Sequence, residues 1–324
     1  MDRITVIIVN WNGKKILSKC LEGLKKQVYQ DFSTILVDNG SIDGSIEFVK
    51  QCYPEVKIMA LPENIGFAAA NNVALRNIQT EFVALINNDG VAQPQWLDVM
   101  IKALDAHPKA GFAASKMVYY DKPDIIDRAG DAYTIAGAGS LRGRGAPAQS
   151  YNQIKWIFGA CAGAALYRMH MLNDIGLFDE DFFILYEDVD LSFRAQLNGY
   201  RCLYLPQALV YHMATRSIGY DTAKSVYFGH RNMEWTYIHN MPNKLIIRTI
   251  IPHLLYIIFA FIFFALKGHG RVYLKAKKDA LLGLGTAIKK RKMVQAHCKV
   301  NHRYISQLFD PEYFFSRYIH RLKK

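Results

Sequence analysis

Residues 85–90 read LINNDG, an apolar run ending in Asn87, Asn88, Asp89 and Gly90. Alone, the stretch has two readings. Asp-Gly after alternating hydrophobics is a common tight-turn signal. A carboxylate at the carboxyl end of a buried strand is also where an open α/β sheet holds a ligand or a metal. The surrounding sequence decides between them.

Short β-branched runs recur at 4–9, 34–37, 56–59 and 82–86, with helical patterns at 15–26, 44–51, 67–78 and 94–106. Alternation at this spacing predicts a parallel, doubly wound α/β sheet. Strands of such a sheet are buried on both faces, which suits continuous runs such as ITVIIV at 4–9. Four polar stretches then fall at strand ends: VNWN (9–12), VDNGSIDGS (37–45), ENIGFAAANN (63–72) and INNDG (86–90). Each alone reads equally well as a turn or a solvated helix end. Together they converge on the sheet edge where such folds bind nucleotides.

Further along, 120–152 is rich in glycine and reads as a mobile surface loop. The pattern predicts a helix over 188–198, ended by Gly199, and two short strands at 202–205 and 208–212. Residues 245–266 form the most apolar window. Arg248, Pro252 and His253 interrupt it, leaving 13 uninterrupted apolar residues from Leu254 to Leu266. That is short for a membrane span and suits an interfacial or re-entrant element; a buried core helix is the plainer alternative. The net charge of +12 is carried by the tail: residues 267–324 hold 15 basic and 3 acidic side chains, whereas 1–266 hold 25 of each. No nucleic-acid motif accompanies these charges, so an anionic membrane surface is the expected partner. Five scattered cysteines without a C-x-x-C pair, and an N-terminus lacking signal-peptide layout, point to a reducing cytoplasm.

The four strand-end stretches, with GLFDEDFFILYEDVDLSFR at 176–194 and YH at 211–212, resemble the family 2 glycosyltransferases, and within them the bacterial rhamnosyltransferase-like branch. The resemblance covers roughly residues 4–240. It implies a GT-A fold over 1–240, a Rossmann-like nucleotide half joined to an acceptor half, with inverting chemistry; the apolar window and basic tail make 241–324 the expected membrane-associated helical region. It implies a nucleotide-sugar donor, dTDP-rhamnose first and a UDP-sugar second, held by Asn10, Asn12, Asp38, Asn39, Asp43, Asn64, Gly66, Asn72, Asn88 and Arg231. Asp89 matches the last aspartate of the family's DXD motif and, with His212, is expected to hold Mn²⁺ or Mg²⁺. Asn87 and Asn88 stand where acidic partners could be, so the site carries less charge than a two-aspartate motif.

Asp188 is expected as general base with Glu187 beside it, its acidic neighbours making Asp188 the better proton acceptor. Trp11, Phe183 and Asp190 are expected on the acceptor side, the acceptor being a polyprenyl-diphosphate-linked sugar or other glycan. The expected location is the cytoplasmic face of the bacterial inner membrane, peripheral or monotopic. A nucleotidyltransferase and an inactive nucleotide- or glycan-binding protein are the rival classes. The first would need a Gly-rich basic N-terminal loop, which VNWNGKK (9–15) only weakly imitates.

Overall fold

The computed structural model describes residues 2–214 and 222–310. Strands β1 (Ile4–Asn10), β2 (Phe32–Asn39), β3 (Lys57–Leu61) and β4 (Phe82–Ile86) are parallel, connected through helices α1 (Lys14–Lys25), α2 (Ser45–Cys52) and α3 (Phe67–Leu75). Next come β5 (Gly90–Ala92), α4 (Trp96–Ala106), β6 (Ala110–Tyr119), β7 (Lys122–Arg128), β8 (Asp131–Thr134) and β9 (Gly139–Leu141). Then follow β10 (Lys155–Ile157), β11 (Ala164–Arg168), α5 (Met169–Ile175), α6 (Glu187–Leu197) and β12 (Arg201–His212). The main sheet runs β10-β12-β6-β11-β4-β1-β2-β3, with β5 paired to β12 and β7 to β6. The described residues continue through α7 (Ala223–Asn240), α8 (Asn243–Leu266), α9 (Gly270–Leu282), α10 (Leu284–Ala296) and α11 (His302–Gln307) to β13 (Phe309–Asp310), which pairs with β8.

Strand β1 shows why its sequence lacks polar alternation. Ile4, Val6 and Ile8 enter a core layer with Leu17, Leu21 and Leu24 of α1 and Trp96 and Met100 of α4. Ile7 enters the opposite layer with Ala70 and Ala74 of α3 and Leu191 and Ala195 of α6. Side chains alternate between faces, and both faces are covered. Each fully buried Leu or Ile here contributes about 1.5–3 kcal/mol by leaving water.

Three expectations are corrected. The stretch read as a loop at 120–152 holds β7, β8, β9 and a short 3₁₀ turn. Its glycines mark tight turns, with Gly130, Gly137, Gly143 and Gly145 all at positive φ. The two strands expected at 202–205 and 208–212 are one strand, β12, whose pairing with β6 shifts register between Leu205 and Leu209 around Pro206. The apolar window is longer than the uninterrupted run implied. Helix α8 passes through Pro252 for 24 residues, about 36 Å at 1.5 Å per residue. Among the described residues it is the one helix long and apolar enough to cross a membrane.

Helices α7, α8, α10 and α11 share a core with α6 and with β8 of the small β13-β8-β9 sheet. Leu245 of α8 and Ile305 of α11 pack with Tyr133 of β8 and with Val189 and Phe193 of α6. At mid-helix, His253 of α8 reaches Ala136 O through Nδ1 (2.7 Å) and Glu234 Oε2 of α7 through Nε2 (3.0 Å). Lys277 of α9 closes onto the other Glu234 oxygen. Burial opposes ionisation of Glu234, but Lys277 and His253 outweigh it and lower its pKa from 4.5 to about 2. A depressed carboxylate contributes stability that is fully present above its unfolded value, and that is lost as pH falls through the folded one. Glu234→Gln should therefore cost about 3–5 kcal/mol in urea unfolding at pH 7, because it leaves Lys277 buried and unpaired. The cost should shrink as pH falls from 4.5 toward 2. An equal cost at pH 7 and in acid would contradict this account.

Candidate active site

The carboxyl ends of β1, β2 and β4 are joined by a buried lattice of amides and carboxylates. Asn10 donates to Asp38 Oδ2 (3.1 Å) and to Ser41 Oγ (3.2 Å), and its own Oδ1 accepts from Asn88 Nδ2 (2.9 Å). Ser41 N donates to Asp38 Oδ1 (2.9 Å), and Asn12 Oδ1 accepts from Ile42 N (2.9 Å). Asn39 holds the turn after β3, accepting from Ile65 N (3.0 Å) and donating to Asn64 Oδ1 (3.1 Å). Gly66 N also donates to Asn64 Oδ1 (3.0 Å). This lattice lets four polar residues share a water-poor sheet edge with their hydrogen bonds made. Gly13 sits at its centre, where a Cβ would come within 2.3 Å of both the Asn10 and the Asn88 side chains. Sequence reading missed Gly13; its one signal was its place directly after VNWN.

Asp89 and His212 meet through backbone register. Strand β5 pairs antiparallel with the end of β12, His212 opposite Gly90, and Met213 N donates to Asp89 O (2.9 Å). His212 Nδ1 contacts Asp127 Oδ2 at 2.8 Å. Its Nε2 lies 3.1 Å from Asp89 Oδ1 but off a hydrogen-bond line, leaving a buried nitrogen without a hydrogen-bond partner. Burial lowers the ring's proton affinity, but Asp127 and Asp89 outweigh it and raise the pKa to about 9. Burial likewise opposes the Asp127 charge, yet His212 and Arg144 hold that carboxyl well below its usual range. An imidazole nitrogen 3.1 Å from one carboxylate, with the other ring nitrogen held by a second, fits a divalent cation that takes the place of the Nε2 proton. Among the described residues no three His, Cys, Asp or Glu side chains converge on one point. Such an ion would thus have two protein ligands, Asp89 and His212.

Asp188 stands across a short turn from this pair. Gly163 O accepts from Asn87 N (2.9 Å), and Ala162 N donates to Asp188 Oδ2 (3.3 Å). Arg128 Nη1 lies 3.4 Å from Asp131 Oδ1 and 3.7 Å from Asp188 Oδ2. The carboxyl pushed well above its usual range is Glu187, first by burial and then by the charge of Asp188.

The segment leading to this acid pair is strained. Phe183, Leu185 and Tyr186 all have positive φ, between 62° and 73°, at a cost of roughly 1–3 kcal/mol each. Asn232 of α7, fully buried, staples it by donating Nδ2 to the carbonyls of Phe182 (2.9 Å), Ile184 (2.9 Å) and Leu185 (2.7 Å). Phe183 O accepts from Phe67 N (2.7 Å), and its ring fills the space a Cβ on Gly66 would need.

Four expected site residues have other uses here. Asn72 is a buried clamp between α3 and the following segment, donating to Phe178 O and Glu180 Oε1 (both 2.8 Å) and accepting from Phe178 N (3.1 Å). Asp190 points inward to Arg194 Nε (2.8 Å) and Asn240 Nδ2 (2.7 Å), so it does not face an acceptor. Asp43 accepts from Lys14 N (2.9 Å) and from Ser45, tying the starts of α1 and α2 together. Arg231 donates to Asp181 O (2.8 Å) and Phe182 O (3.2 Å) and lies over the Trp235 ring. It supports the strained segment. Trp11 remains 45% exposed, and Lys224 Nζ sits 5.4 Å from its ring and 5.7 Å from that of Phe183.

The sequence profile of glycosyl transferase family 2 matches residues 5–176, and the chain belongs to that family. It is a glycosyltransferase with a GT-A fold extended by C-terminal helices. It is 27% identical over 270 residues to the N-acetylglucosaminyl-diphospho-decaprenol L-rhamnosyltransferase of Mycobacterium tuberculosis, covering 73% of this chain and 83% of that protein. Residues 1–349 of S. aureus TarS in complex with UDP-GlcNAc superpose with a TM-score of 0.59 at 19% identity, over 91% of each chain. The chain spans 40% of a longer TarS structure. The mannosyltransferase PcManGT from Pyrobaculum calidifontis, solved with GDP-Man and Mn²⁺, superposes at 0.55 with 18% identity, over 94% of this chain and 85% of that one.

Removing the staple should release the strained segment. Asn232→Ala should lower stability by about 1–3 kcal/mol, since three buried carbonyls lose their donor. It should also speed amide exchange across 182–188 more than elsewhere. Uniformly faster exchange along the chain would show that Asn232 has no special hold on this segment.

Proposed function

We propose that this glycosyltransferase moves a sugar, with inversion, from a nucleotide-sugar donor to a lipid-linked acceptor, and that rhamnose from dTDP-rhamnose is the donor. The observation that carries the reading is the shared turn at 161–163, which bonds to the Asn87 end of β4 on one side and to Asp188 on the other. A diphosphate at Asp89 and an acceptor hydroxyl at Asp188 would then flank one anomeric carbon. The mycobacterial relative, named for rhamnosyl transfer to a decaprenyl diphosphate-linked sugar, supports both substrate classes. A UDP-sugar donor is the second reading, favoured by the UDP-GlcNAc held by TarS.

In this mechanism the Asn10–Asp38–Asn88 lattice shapes the nucleotide pocket, with Asp38 oriented for the base and Gly13 and Gly66 admitting close approach. Asp89 and His212 would hold a divalent ion, whose charge would offset that of the departing diphosphate. Asp188 takes the proton of the acceptor hydroxyl as its oxygen attacks the anomeric carbon, and the nucleoside diphosphate leaves from the opposite face. Arg128 balances the charge of Asp131 and Asp188, and burial and then Asp188 raise the proton affinity of Glu187 beside them. Trp11 and Phe183 offer aromatic faces at the cleft mouth.

Asp188→Asn should slow transfer by roughly 10²–10⁴-fold while leaving donor affinity within experimental error. Affinity is read by thermal shift against dTDP-rhamnose, UDP-GlcNAc and GDP-mannose. A variant that kept its rate and lost donor binding would move Asp188 to the diphosphate. Asp89→Ala should abolish turnover and the Mn²⁺-dependent part of nucleotide affinity; an unchanged Mn²⁺ effect would return Asp89 to the role of a turn residue.

The same reading puts α8 on the membrane surface. Ile247, Ile251, Leu254, Leu255, Ile258, Phe259, Ile262 and Leu266 are all exposed along it, a stripe as long as the helix. Length alone would permit a crossing. The opposite face, however, packs with Ile305 at Leu245 and is bonded through His253 to Ala136 and Glu234. A perpendicular span would drag the buried Glu234–Lys277 pair into hydrocarbon, whereas an in-plane helix buries only the stripe. With Lys292→Cys, intact cells and an impermeant thiol reagent should give no more labelling than the parent chain. Labelling from outside would establish a span.

A further inference from the structure

Four cations of the C-terminal region have carboxylate partners. Lys277 pairs with Glu234, Lys290 with Asp179 and Asp181, Lys275 with Asp279, and Lys299 with Asp174. One group is different. Lys244 and Arg248, both exposed, stand four residues apart at the start of α8, which puts their Cβ atoms about 5–6 Å apart on one face. Arg303, also exposed, enters from α11, whose Ile305 packs in the same cluster as Leu245 of α8. Arg291 of α10 reaches Asn243, the first residue of α8. None of these four has a carboxylate partner among the described residues, and the first turn of α8 has no acid. The cations also stand at the positive end of the α8 dipole, where they repel rather than complement it. The His302 ring beside them is pushed below its ordinary value by partial burial and then by Lys244, Arg248 and Arg303. Within one turn, Ile247 and Ile251 are 79% and 67% exposed, so the cations open onto the apolar stripe.

Cations from three helices, without a carboxylate partner among the described residues and bordering an exposed apolar stripe, match a layer with phosphate at its surface and hydrocarbon beneath. We propose that Lys244, Arg248, Arg291 and Arg303 form a headgroup site for anionic phospholipid, which fixes the N-terminal end of α8 at the membrane surface. The site rests on the surface placement of α8 proposed above and adds to it where on the protein the lipid charge is read. Guanidinium groups suit the paired oxygens of a phosphodiester, and Ile247 and Ile251 take the acyl chains directly below.

The test uses the full chain and phosphatidylcholine vesicles with or without phosphatidylglycerol, read by co-sedimentation. Each cation near an anionic surface contributes about 1 kcal/mol. The triple variant Lys244→Gln/Arg248→Gln/Arg303→Gln should therefore lose roughly 100-fold in binding to phosphatidylglycerol vesicles, at 1.4 kcal/mol per tenfold. Its weak binding to phosphatidylcholine should be unchanged. A control of equal charge, Lys50→Gln/Lys57→Gln/Lys109→Gln, should lose less than about tenfold, these exposed lysines lying in the nucleotide half. Equal losses in the two triples would overturn the site in favour of diffuse attraction. Inorganic phosphate or diphosphate that displaced the wild-type chain at submillimolar concentration would overturn the lipid assignment in favour of a soluble anion. A wild-type chain that bound neither vesicle would refute the membrane reading itself, which is a separate outcome. Should the triple variant not fold, amine labelling of the unmodified chain gives the answer: phosphatidylglycerol vesicles should shield Lys244 and leave Lys50 reactive, and equal reactivity would overturn the site.

Discussion

The antiparallel pairing of β5 with the last residues of β12 is the constraint on which the candidate site depends. It sets His212 opposite Gly90, so the imidazole must lie beside Asp89, and it continues the sheet far enough for Asp127 of β7 to reach the other ring nitrogen. A slip of one residue would turn His212 to the opposite face. The bulge around Pro206 in β12 is part of the same constraint, because the strand regains its pairing with β6 from Leu209 onward.

The electrostatics of the site follow from that register. Asp89, Asp127, Asp131, Glu187 and Asp188 gather around only three cationic groups, His212, Arg128 and Arg144. Five carboxylates against three cations leave negative charge that a low-dielectric interior holds at a cost. The cost falls in part on Glu187, whose proton affinity rises, and the remainder favours a cation at the Asp89–His212 end. The same imbalance separates two roles within one buried cluster. Acids beside Arg128, Arg144 or His212 have a counter-charge, and Glu187, which burial raises most, suits a proton-bearing neighbour.

Much of the nucleotide half was legible because its signals are local. β-branched runs separated by helical periods define the parallel sheet, and the polar strand ends point to the edge where ligands bind. The residues that hold the site together were less legible. Asp127 and Arg128 lie in a stretch whose glycine content reads as a loop, since tight turns between short antiparallel strands have the same composition as an irregular segment. Asn72 and Asp190 carry the right chemistry in the right motifs, yet face inward. Which way one side chain of a helix points depends on packing against Phe178 and Asn240, segments distant in sequence. The helical region after 240 reads as a separate unit by composition, but its core contacts with α6 arise from tertiary packing that no local window contains.

That shared core ties helix α8 to the acid pair. His253 of α8 bonds to Ala136; the turn it holds continues to Gly139, whose N–H donates to the Tyr186 hydroxyl (3.1 Å). Tyr186 is itself one of the strained residues and directly precedes Glu187 and Asp188. The path is short and made of buried hydrogen bonds, so the position of α8 and the position of the acid pair are set by one rigid body of packed elements. An exposed apolar stripe on α8 then has a defined orientation relative to Asp188. Were the acceptor anchored in a bilayer, as proposed, a fixed orientation of this kind would decide which of its hydroxyls reaches Asp188.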